Sequence, residues 1–344
     1  MNSLKMRAKN MSDTNLLLTI TIVVFLIMYI VAVLVLGGGF TKPQTFFNIL
    51  NENASLLILS CGMSLVMITG GIDISVGTMT ALVCMSCAVY LDTAIGKGGN
   101  VPVAILIALG IGLAYGIVQG FLVAYLNIQP FIVSLAGMFF AKGMTTIIKA
   151  DQFNVQNEEF QALKATRIYI PFLGVVNKKG IFVPAYIEIG VVIALVIVVL
   201  LFVVLRWTKL GRAFYAVGGN LQSASMLGIN VKLTKFTAHL MCSVLASIGG
   251  WVYFMHVGSG SPSHAAGAEM NAIASSIIGG TMLTGGVGNI IGTFFGVLSL
   301  STIKNIVSQL GFDEAWWTNI TVAIMICIFL LIQSIVMRRK TKRK

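Results

Sequence analysis

Charged residues are scarce in this sequence. Of its 344 residues, 10% are Asp, Glu, Lys or Arg and 57% are hydrophobic, and the mean hydropathy is +0.93. Soluble domains carry about 25% charged residues, and a water-soluble fold of this size needs more charge than this to cover its surface. The composition therefore excludes a soluble globular protein and predicts an integral membrane protein.

Motifs that carry catalysis are also missing. The sequence contains no GxxxxGK[ST] phosphate-binding loop, no HExxH and no GxSxG. Its three histidines, His239, His256 and His264, are scattered, and its five cysteines lie in apolar runs, where cysteine usually behaves as a small hydrophobic residue. We therefore expect no catalytic residue, no metal site, no cofactor bound by this chain and no enzymatic activity.

Acidic residues are absent from residues 206–235 and 338–344, although both stretches are rich in Lys and Arg. Together with Lys5, Arg7 and Lys9, these stretches hold most of the basic residues behind the net charge of +12. A basic groove with interleaved aromatic residues is missing, so nucleic acid is excluded as a partner. Because basic loops of multi-pass proteins face the cytoplasm, both termini and residues 206–233 are predicted to be cytoplasmic, and residues 149–183 form an external loop.

Ten apolar runs are candidate membrane spans, since about 20 helical residues cross a ~30 Å hydrocarbon core. Six are clear and four are shorter, with the glycine-rich breaks GGIDISVG (70–77) and GGVG (285–288) between them. The runs cover residues 16–36, 53–69, 74–91, 101–126, 128–148, 184–205, 234–256, 271–284, 289–307 and 316–336. Short, glycine-interrupted segments in both halves are typical of transporter repeats. We predict a single all-α domain over residues 1–344, with about ten transmembrane helices and two glycine-interrupted pseudo-repeat halves.

Asp73 lies inside the first glycine-rich break, between two apolar segments. An ionisable group at membrane depth is costly, so it is usually paired or functional. Alternatively, the break reaches the cytoplasmic surface and Asp73 only caps the next helix. The sequence leaves both interpretations open.

Three motifs resemble a known family. GGIDISVG (70–77), GRAFYAVGGNLQSASMLGI (211–229) and AIASSIIGGTMLTGGVGNIIGTFFG (272–296) are similar to the permease subunits of bacterial ATP-binding-cassette sugar importers of the ribose, galactose and autoinducer-2 type. The resemblance extends over residues 16–336. Within it, FIVSLAGMFFAKG (131–143) and AWWTNI (315–320) most resemble a permease of the galactofuranose importer.

The resemblance implies a location in the bacterial cytoplasmic (inner) membrane and import of a monosaccharide such as galactofuranose, ribose or a galactose-like sugar. The partners it implies are a cytoplasmic ATP-binding-cassette ATPase that carries the ATP and Mg²⁺, a second permease copy or paralogue, and an extracytoplasmic sugar-binding protein. Residues 206–233 match the segment that docks on the ATPase in this family. The matching docking residues are Gly211, Arg212, Gly218, Gly219, Asn220, Ala224 and Gly228.

A pathway for a neutral sugar needs hydrogen-bonding groups and small side chains more than fixed charges. The two glycine-rich breaks supply such residues, and we expect the translocation pathway to be lined by Gly71, Asp73, Ser75, Gly77, Asn271, Gly279, Gly280 and Thr281.

Two other functions are weighed against sugar import. A branched-chain amino-acid permease of the same importer class would need to bind a charged ammonium and carboxylate, and the few charges inside the apolar runs offer little for that. An ion-coupled secondary carrier often shows a ladder of Asp, Glu and His inside the membrane, and this sequence has none.

Overall fold

The computed structural model describes residues 13–94, 98–176, 181–312 and 315–341. The basic residues Lys5, Arg7 and Lys9 lie outside the described residues, as do the last three residues of the basic tail. Within these ranges the protein is mostly helical, with two small two-stranded sheets.

Eight described helices are long and apolar enough to cross a membrane. They are α1 (Asp13–Leu36), α2 (Pro43–Ile68), α4 (Val101–Ala124), α5 (Pro130–Ile148), α7 (Ile189–Trp207), α10 (Val231–Val257), α12 (Ile290–Gln309) and α13 (Ala315–Thr341). Shorter helices lie between them. These are α3 (Val76–Leu91), α6 (Glu158–Ala165), α8 (Lys209–Gly219), α9 (Leu221–Met226) and α11 (Ala268–Ile278).

The prediction of ten spans is therefore not confirmed, because α3 and α11 are too short to cross the membrane. Their 16 and 11 residues extend about 24 and about 17 Å at 1.5 Å per residue, less than the ~30 Å of a hydrocarbon core. Both helices adjoin a glycine-rich break. Each break therefore replaces part of a span with irregular backbone, which a membrane protein tolerates where neighbouring helices cover it.

The loop after α5 contains strands, so the prediction of an all-α fold is wrong in this region. Strands β2 (Arg167–Val176) and β3 (Phe182–Glu188) form an antiparallel pair, and β1 (Phe153–Asn154) pairs with β4 (Ser259–Gly260). β2 and β3 are rich in the β-branched and aromatic residues that favour strands. The predicted span at 184–205 consequently begins as strand.

The hairpin formed by β2 and β3 is fixed to the start of α2. The amide of Tyr186 donates to Gln44 Oε1 at 2.9 Å, and Gln44 Nε2 donates to the Tyr186 carbonyl at 3.3 Å. The amide of Glu188 donates to Asn51 Oδ1 at 2.9 Å. These bonds hold the hairpin and the start of α7 at the end of the bundle where α2 begins.

Helix α2 forms the centre of the bundle. Of its most apolar stretch, 78% is buried inside the protein, whereas the corresponding value is 17% for both α1 and α13. α2 packs against α7, α10, α11 and α12. The helices with low burial present leucine, isoleucine, valine and phenylalanine outwards, as expected of surfaces that face lipid.

Glycines allow α4 and α10 to approach closely. A Cβ atom added to Gly116 would lie 3.0 Å from the Cβ atom of Ser243, and one added to Gly112 would lie 2.7 Å from the Cβ atom of Ser247. Small residues at such contacts let transmembrane helices pack backbone to backbone. Gly110, on the same helix, has open space around it.

We predict that Gly112→Val destabilises the protein and that Gly110→Val does not. A valine at 112 overlaps Ser247, and overpacking of this kind costs about 1–3 kcal/mol. Both substitutions add the same side chain to the same helix, so Gly110→Val controls for helix propensity. Thermal unfolding of the purified protein in detergent measures the difference. Equal loss of stability in the two variants would contradict this packing.

Candidate functional site

The polar stretch at 206–233, here called the docking loop, is organised by three helix caps. Thr208 Oγ1 accepts from the amide of Gly211 at 3.2 Å, and Asn220 Oδ1 accepts from the amide of Ser223 at 2.8 Å. Asn230 Oδ1 accepts from the amide of Leu233 at 2.9 Å. Each cap satisfies an amide that the first turn of a helix leaves free. The loop is therefore built from α8, α9 and the start of α10 rather than from flexible chain.

One face of α8 is buried against the bundle. Gly211, Phe214 and Val217 recur every three residues and are buried, as expected of the inner face of an amphipathic helix. The predicted docking residue Arg212 is exposed on the other face. A Cβ atom added to Gly211 would lie 2.5 Å from the Cα atom of Leu205, so Gly211 serves the close packing of α8 on α7.

The most exposed apolar side chains of the docking loop are Met226 and Leu227. They are 87% and 79% exposed, at the end of α9, and Gly228 follows with a φ of +78°. Large apolar groups exposed together outside a lipid-facing surface indicate an interaction site. The sequence prediction of docking residues omitted both. The available signal was a pair of consecutive apolar residues within a polar stretch.

The other predicted docking residues divide between exposed and buried positions. Gly219, Asn220 and Gly228 are exposed, whereas Ala224 is 2% exposed and lies on the inner side of α9. The Ala224 carbonyl accepts from the amide of Ile229 at 3.1 Å, which closes the turn after α9. Ala224 therefore supports the loop from inside.

The docking loop touches the end of α2 and the second glycine-rich break, which in turn meets Gly70 of the first break. We call this contact, formed by Gly70, Gly218, Gly285 and Gly286, the glycine junction. A Cβ atom added to Gly218 would overlap the carbonyl oxygen of Ile68, the last residue of α2. One added to Gly285 would lie 2.9 Å from the Gly218 carbonyl oxygen and 3.0 Å from Gly70 Cα. Backbone therefore meets backbone at the glycine junction, and only glycine leaves room for it.

Two hydrogen bonds tie the glycine junction together. The amide of Gly286 donates to the Ile68 carbonyl at 2.9 Å. From α8, Tyr215 Oη donates to the Gly288 carbonyl at 2.9 Å. Burial raises the pKa of Tyr215 to about 12, so the phenol keeps its proton and remains a donor at physiological pH. These bonds join α8 to the second break, and the second break to the end of α2.

Asp73 is 1% exposed and lies inside the bundle. Its Oδ1 accepts from the amide of Ser75 at 3.0 Å and from Ser75 Oγ at 2.5 Å. Asp73 therefore does support the start of α3, as one interpretation of the sequence held, but it does so as a buried group rather than at the surface.

The remaining predicted pathway residues lie in separate places. Gly71 packs against Val66 of α2 and Pro130 of α5. Gly77, in the first turn of α3, lies against the carboxylate of Glu269, whose Oε2 has no hydrogen-bond partner among the described residues. A helix N-terminus stabilises such a negative charge.

Of the predicted pathway residues that precede the second break, Asn271 in α11 has a polar partner, and Gly279 and Gly280 serve packing. Asn271 Oδ1 accepts from Lys304 Nζ at 3.0 Å. Gly279 packs against the backbone of Gly292 in α12, and Gly280, with a φ of +90°, lies beside Leu17 of α1. Thr281 is fully buried. The structure thus brings Asp73 together with Ser75, but it does not place Gly279, Gly280 and Thr281 beside them.

The fold and the glycine junction define a multi-pass membrane protein whose extramembrane helices contact the end of α2 and the second break within the bundle. Comparison with known proteins agrees with this class. Residues 45–329 match the family model described as branched-chain amino acid transport system / permease component. No solved structure matches this chain.

Curated relatives extend over nearly the whole chain. The inner membrane ABC transporter permease protein YjfF of Escherichia coli is 34% identical over 94% of this chain and 93% of its own length. The fructose import permease protein FruG of Bifidobacterium longum is 34% identical over 94% and 93%. The ribose import permease protein RbsC of Escherichia coli is 32% identical over 90% and 91%.

The chain belongs to this permease family, among its sugar-importer members, and is a multi-pass protein of the bacterial inner membrane. Its relatives are transport subunits of ABC importers rather than enzymes. The family description mentions amino acids, yet these relatives include importers of fructose and ribose. Branched-chain amino-acid transport is therefore not favoured for this chain.

We predict that Gly218→Ala opens the glycine junction and that Gly219→Ala leaves it closed. A methyl group at 218 collides with the Ile68 carbonyl, whereas one at 219 meets no atom within 4 Å. Because the Gly286 amide depends on that carbonyl, its hydrogen exchange should accelerate about tenfold in Gly218→Ala. Hydrogen-exchange mass spectrometry of the peptide around Gly286 measures this. Unchanged protection in Gly218→Ala would refute the contact.

Proposed function

We propose that this chain forms the membrane pathway of an ATP-driven importer of a monosaccharide, with the docking loop on the cytoplasmic side. The observation that carries the proposal is the glycine junction, where α8 contacts the end of α2 and the backbone of the second break. A force applied to α8 from outside the membrane is therefore transmitted to the interior of the bundle at the glycine junction. The ribose and fructose importers among the relatives support a sugar as the substrate.

The proposed partner at the docking loop is a cytoplasmic ATP-binding-cassette ATPase. Met226 and Leu227 offer an apolar anchor, and the same loop exposes the basic side chains Arg206, Lys209 and Arg212. An apolar cleft with an acidic rim on the ATPase complements this surface, since buried apolar anchors carry most of the affinity of an interface and rim charges steer the encounter. ATP and Mg²⁺ bind to that partner.

Transmission follows from the stiffness of the docking loop. The caps at Thr208, Asn220 and Asn230 order the starts of α8, α9 and α10. The docking loop therefore moves as one rigid unit. When ATP draws two ATPase subunits together, α8 moves against Ile68 and Gly286. The breaks then shift relative to α2 and α12. ATP drives the change because it binds one conformation better than the other.

The rest of the importer follows from the family. An extracytoplasmic sugar-binding protein delivers the sugar, and a second permease, either a copy or a paralogue, completes the pathway in the lipid bilayer. The galactofuranose motifs favour a paralogue and a hexose, whereas the relatives include ribose and fructose importers. Hydrogen-bonding groups near the breaks, such as Ser75, Asn271 and Lys304, suit a neutral polyol.

An ion-coupled secondary carrier is the second candidate function, and the docking loop disfavours it. Such a carrier has no need of two extramembrane helices with an exposed apolar anchor. It would also take its energy from a gradient in the absence of any ATPase.

We predict that Met226→Ser combined with Leu227→Ser weakens binding of the cognate ATPase by at least about tenfold, since loss of two exposed apolar anchors costs more than about 1.4 kcal/mol. Leu310→Ser is the control, because Leu310 is 55% exposed and follows α12 at the end away from the docking loop. Binding of detergent-purified variants is measured by surface plasmon resonance. Equal affinities of the wild type, the double variant and Leu310→Ser for the ATPase would show that α9 is not part of the interface.

We predict ATP-dependent uptake when the chain, its second permease and the ATPase are reconstituted in liposomes with a sugar-binding protein. Labelled ribose, fructose, galactose and galactofuranose are compared, with leucine as the amino-acid control. Uptake of one sugar that requires ATP supports the proposal and identifies the substrate. Uptake driven by an ion gradient without the ATPase would instead identify the protein as a secondary carrier. Uptake of leucine alone would identify an amino acid rather than a sugar as the substrate.

A further inference from the structure

Five polar side chains meet where the first break passes between α4 and α10. Each has a buried atom without a hydrogen-bond partner among the described residues. These atoms, here called the polar cluster, are Asp73 Oδ2, Tyr115 Oη, Gln119 Nε2, His239 Nε2 and Ser243 Oγ. Asp73, Gln119, His239 and Ser243 are 1–4% exposed. So many unpaired groups in one place are unusual, because more than nine-tenths of buried polar groups in proteins are hydrogen-bonded.

The members of the polar cluster are neighbours. Asp73 interacts electrostatically with both Tyr115 and His239, and Ser75 Oγ lies 3.4 Å from Gln119 Oε1. Ser243 faces α4 at Gly116, where an added Cβ atom would lie 3.0 Å from the Ser243 Cβ atom. The groups come from three elements: the first break, α4 and α10.

The hydrogen-bonding roles in the polar cluster are complementary. His239 Nδ1 lies 2.9 Å from the Lys235 carbonyl, so Nδ1 carries the proton and Nε2 is an acceptor in the neutral ring. The free oxygen of the Asp73 carboxylate is a second acceptor. The Tyr115 hydroxyl, the Gln119 amide nitrogen and the Ser243 hydroxyl are donors. Donors and acceptors are therefore both present, yet they do not bond one another directly.

We propose that the polar cluster is a binding site for ordered water, which joins the Asp73 carboxylate to α4 and α10. Buried water typically makes about three hydrogen bonds to polar groups that lack protein partners, and the polar cluster offers both kinds of partner to it. A metal cation fits the same atoms less well, because three of the five groups present hydrogen-bond donors and only Asp73 presents a carboxylate.

The proposed water has a mechanical role, and this part rests on the proposed function. Asp73 lies only three residues after Gly70 of the glycine junction. Water between Asp73 and the two helices fixes the first break to α4 and α10 close to Gly70, where the second break, which α8 contacts, meets the first. Asp73 and Ser243 are then positioning residues for coupling, and neither contacts the sugar.

The first test is cryo-electron microscopy of the complete importer at a resolution that shows water. We expect at least one density peak within hydrogen-bond distance of Asp73 Oδ2 and of a second cluster atom. Direct bonds among the five side chains, with no peak between them, would overturn the site. A peak that becomes stronger when rubidium or thallium replaces sodium would identify a cation instead.

The second test compares Ser243→Ala with Ser247→Ala in the reconstituted importer. Ser247 lies one turn further along α10, but its hydroxyl already donates to the Val244 carbonyl at 2.8 Å. Both variants shorten a buried serine and are expected to fold. Ser243→Ala should lose water density and lower the sugar imported per ATP hydrolysed several-fold, with unchanged ATPase affinity, while Ser247→Ala should match the wild type.

Asp73→Asn provides an independent check, because it keeps the shape and replaces the acceptor by a donor. We expect it to show the same loss of coupling. Wild-type coupling in both Ser243→Ala and Asp73→Asn would overturn the positioning role. If the wild-type complex imports no sugar, the proposed function fails, whereas water observed at the polar cluster would still stand.

Discussion

The contact of α8 with the end of α2 and with the second glycine-rich break is the constraint on which the rest of this structure depends. Gly218 can lie against the Ile68 carbonyl and the Gly286 amide only because it lacks a side chain. The first break precedes the short helix α3, and the second follows the short helix α11. Irregular backbone would be costly in lipid, and the helices packed around it make it tolerable. Under the proposed function, the helix that receives the force and the second break are thus in direct contact.

Polar groups in the interior of the bundle follow the same logic. The first break brings Asp73 and Ser75 between helices that are otherwise apolar, and α4 and α10 meet it with Gln119, His239 and Ser243. A purely apolar interface would favour one fixed packing. Hydrogen bonds relayed by water can be exchanged between two arrangements at low cost, which suits a segment that must move in each transport cycle.

Much of this organisation could be predicted from the sequence, and the failures have physical causes. The long apolar runs gave α1, α4, α5 and α10 nearly to their ends, because bilayer thickness fixes the length of a span. The pair α3 and α11 was predicted too long, since hydropathy does not distinguish a short buried helix from a span. The strands β2 and β3 were missed because their apolar residues adjoin the run that becomes α7. Met226 was missed because exposure is not a property of a residue type.

The sequence by itself determined that this protein lies in a membrane and where most of its spans are, because these depend on composition and on local patterns of hydropathy. Only the tertiary structure decided that Asp73 is buried, that Gly218 rather than Gly219 makes the close contact, and that Gly279, Gly280 and Thr281 pack away from Asp73. These features depend on which distant segments of the chain meet. How deeply a residue is buried in a bundle is set by its neighbours in space rather than by the residues next to it in the sequence.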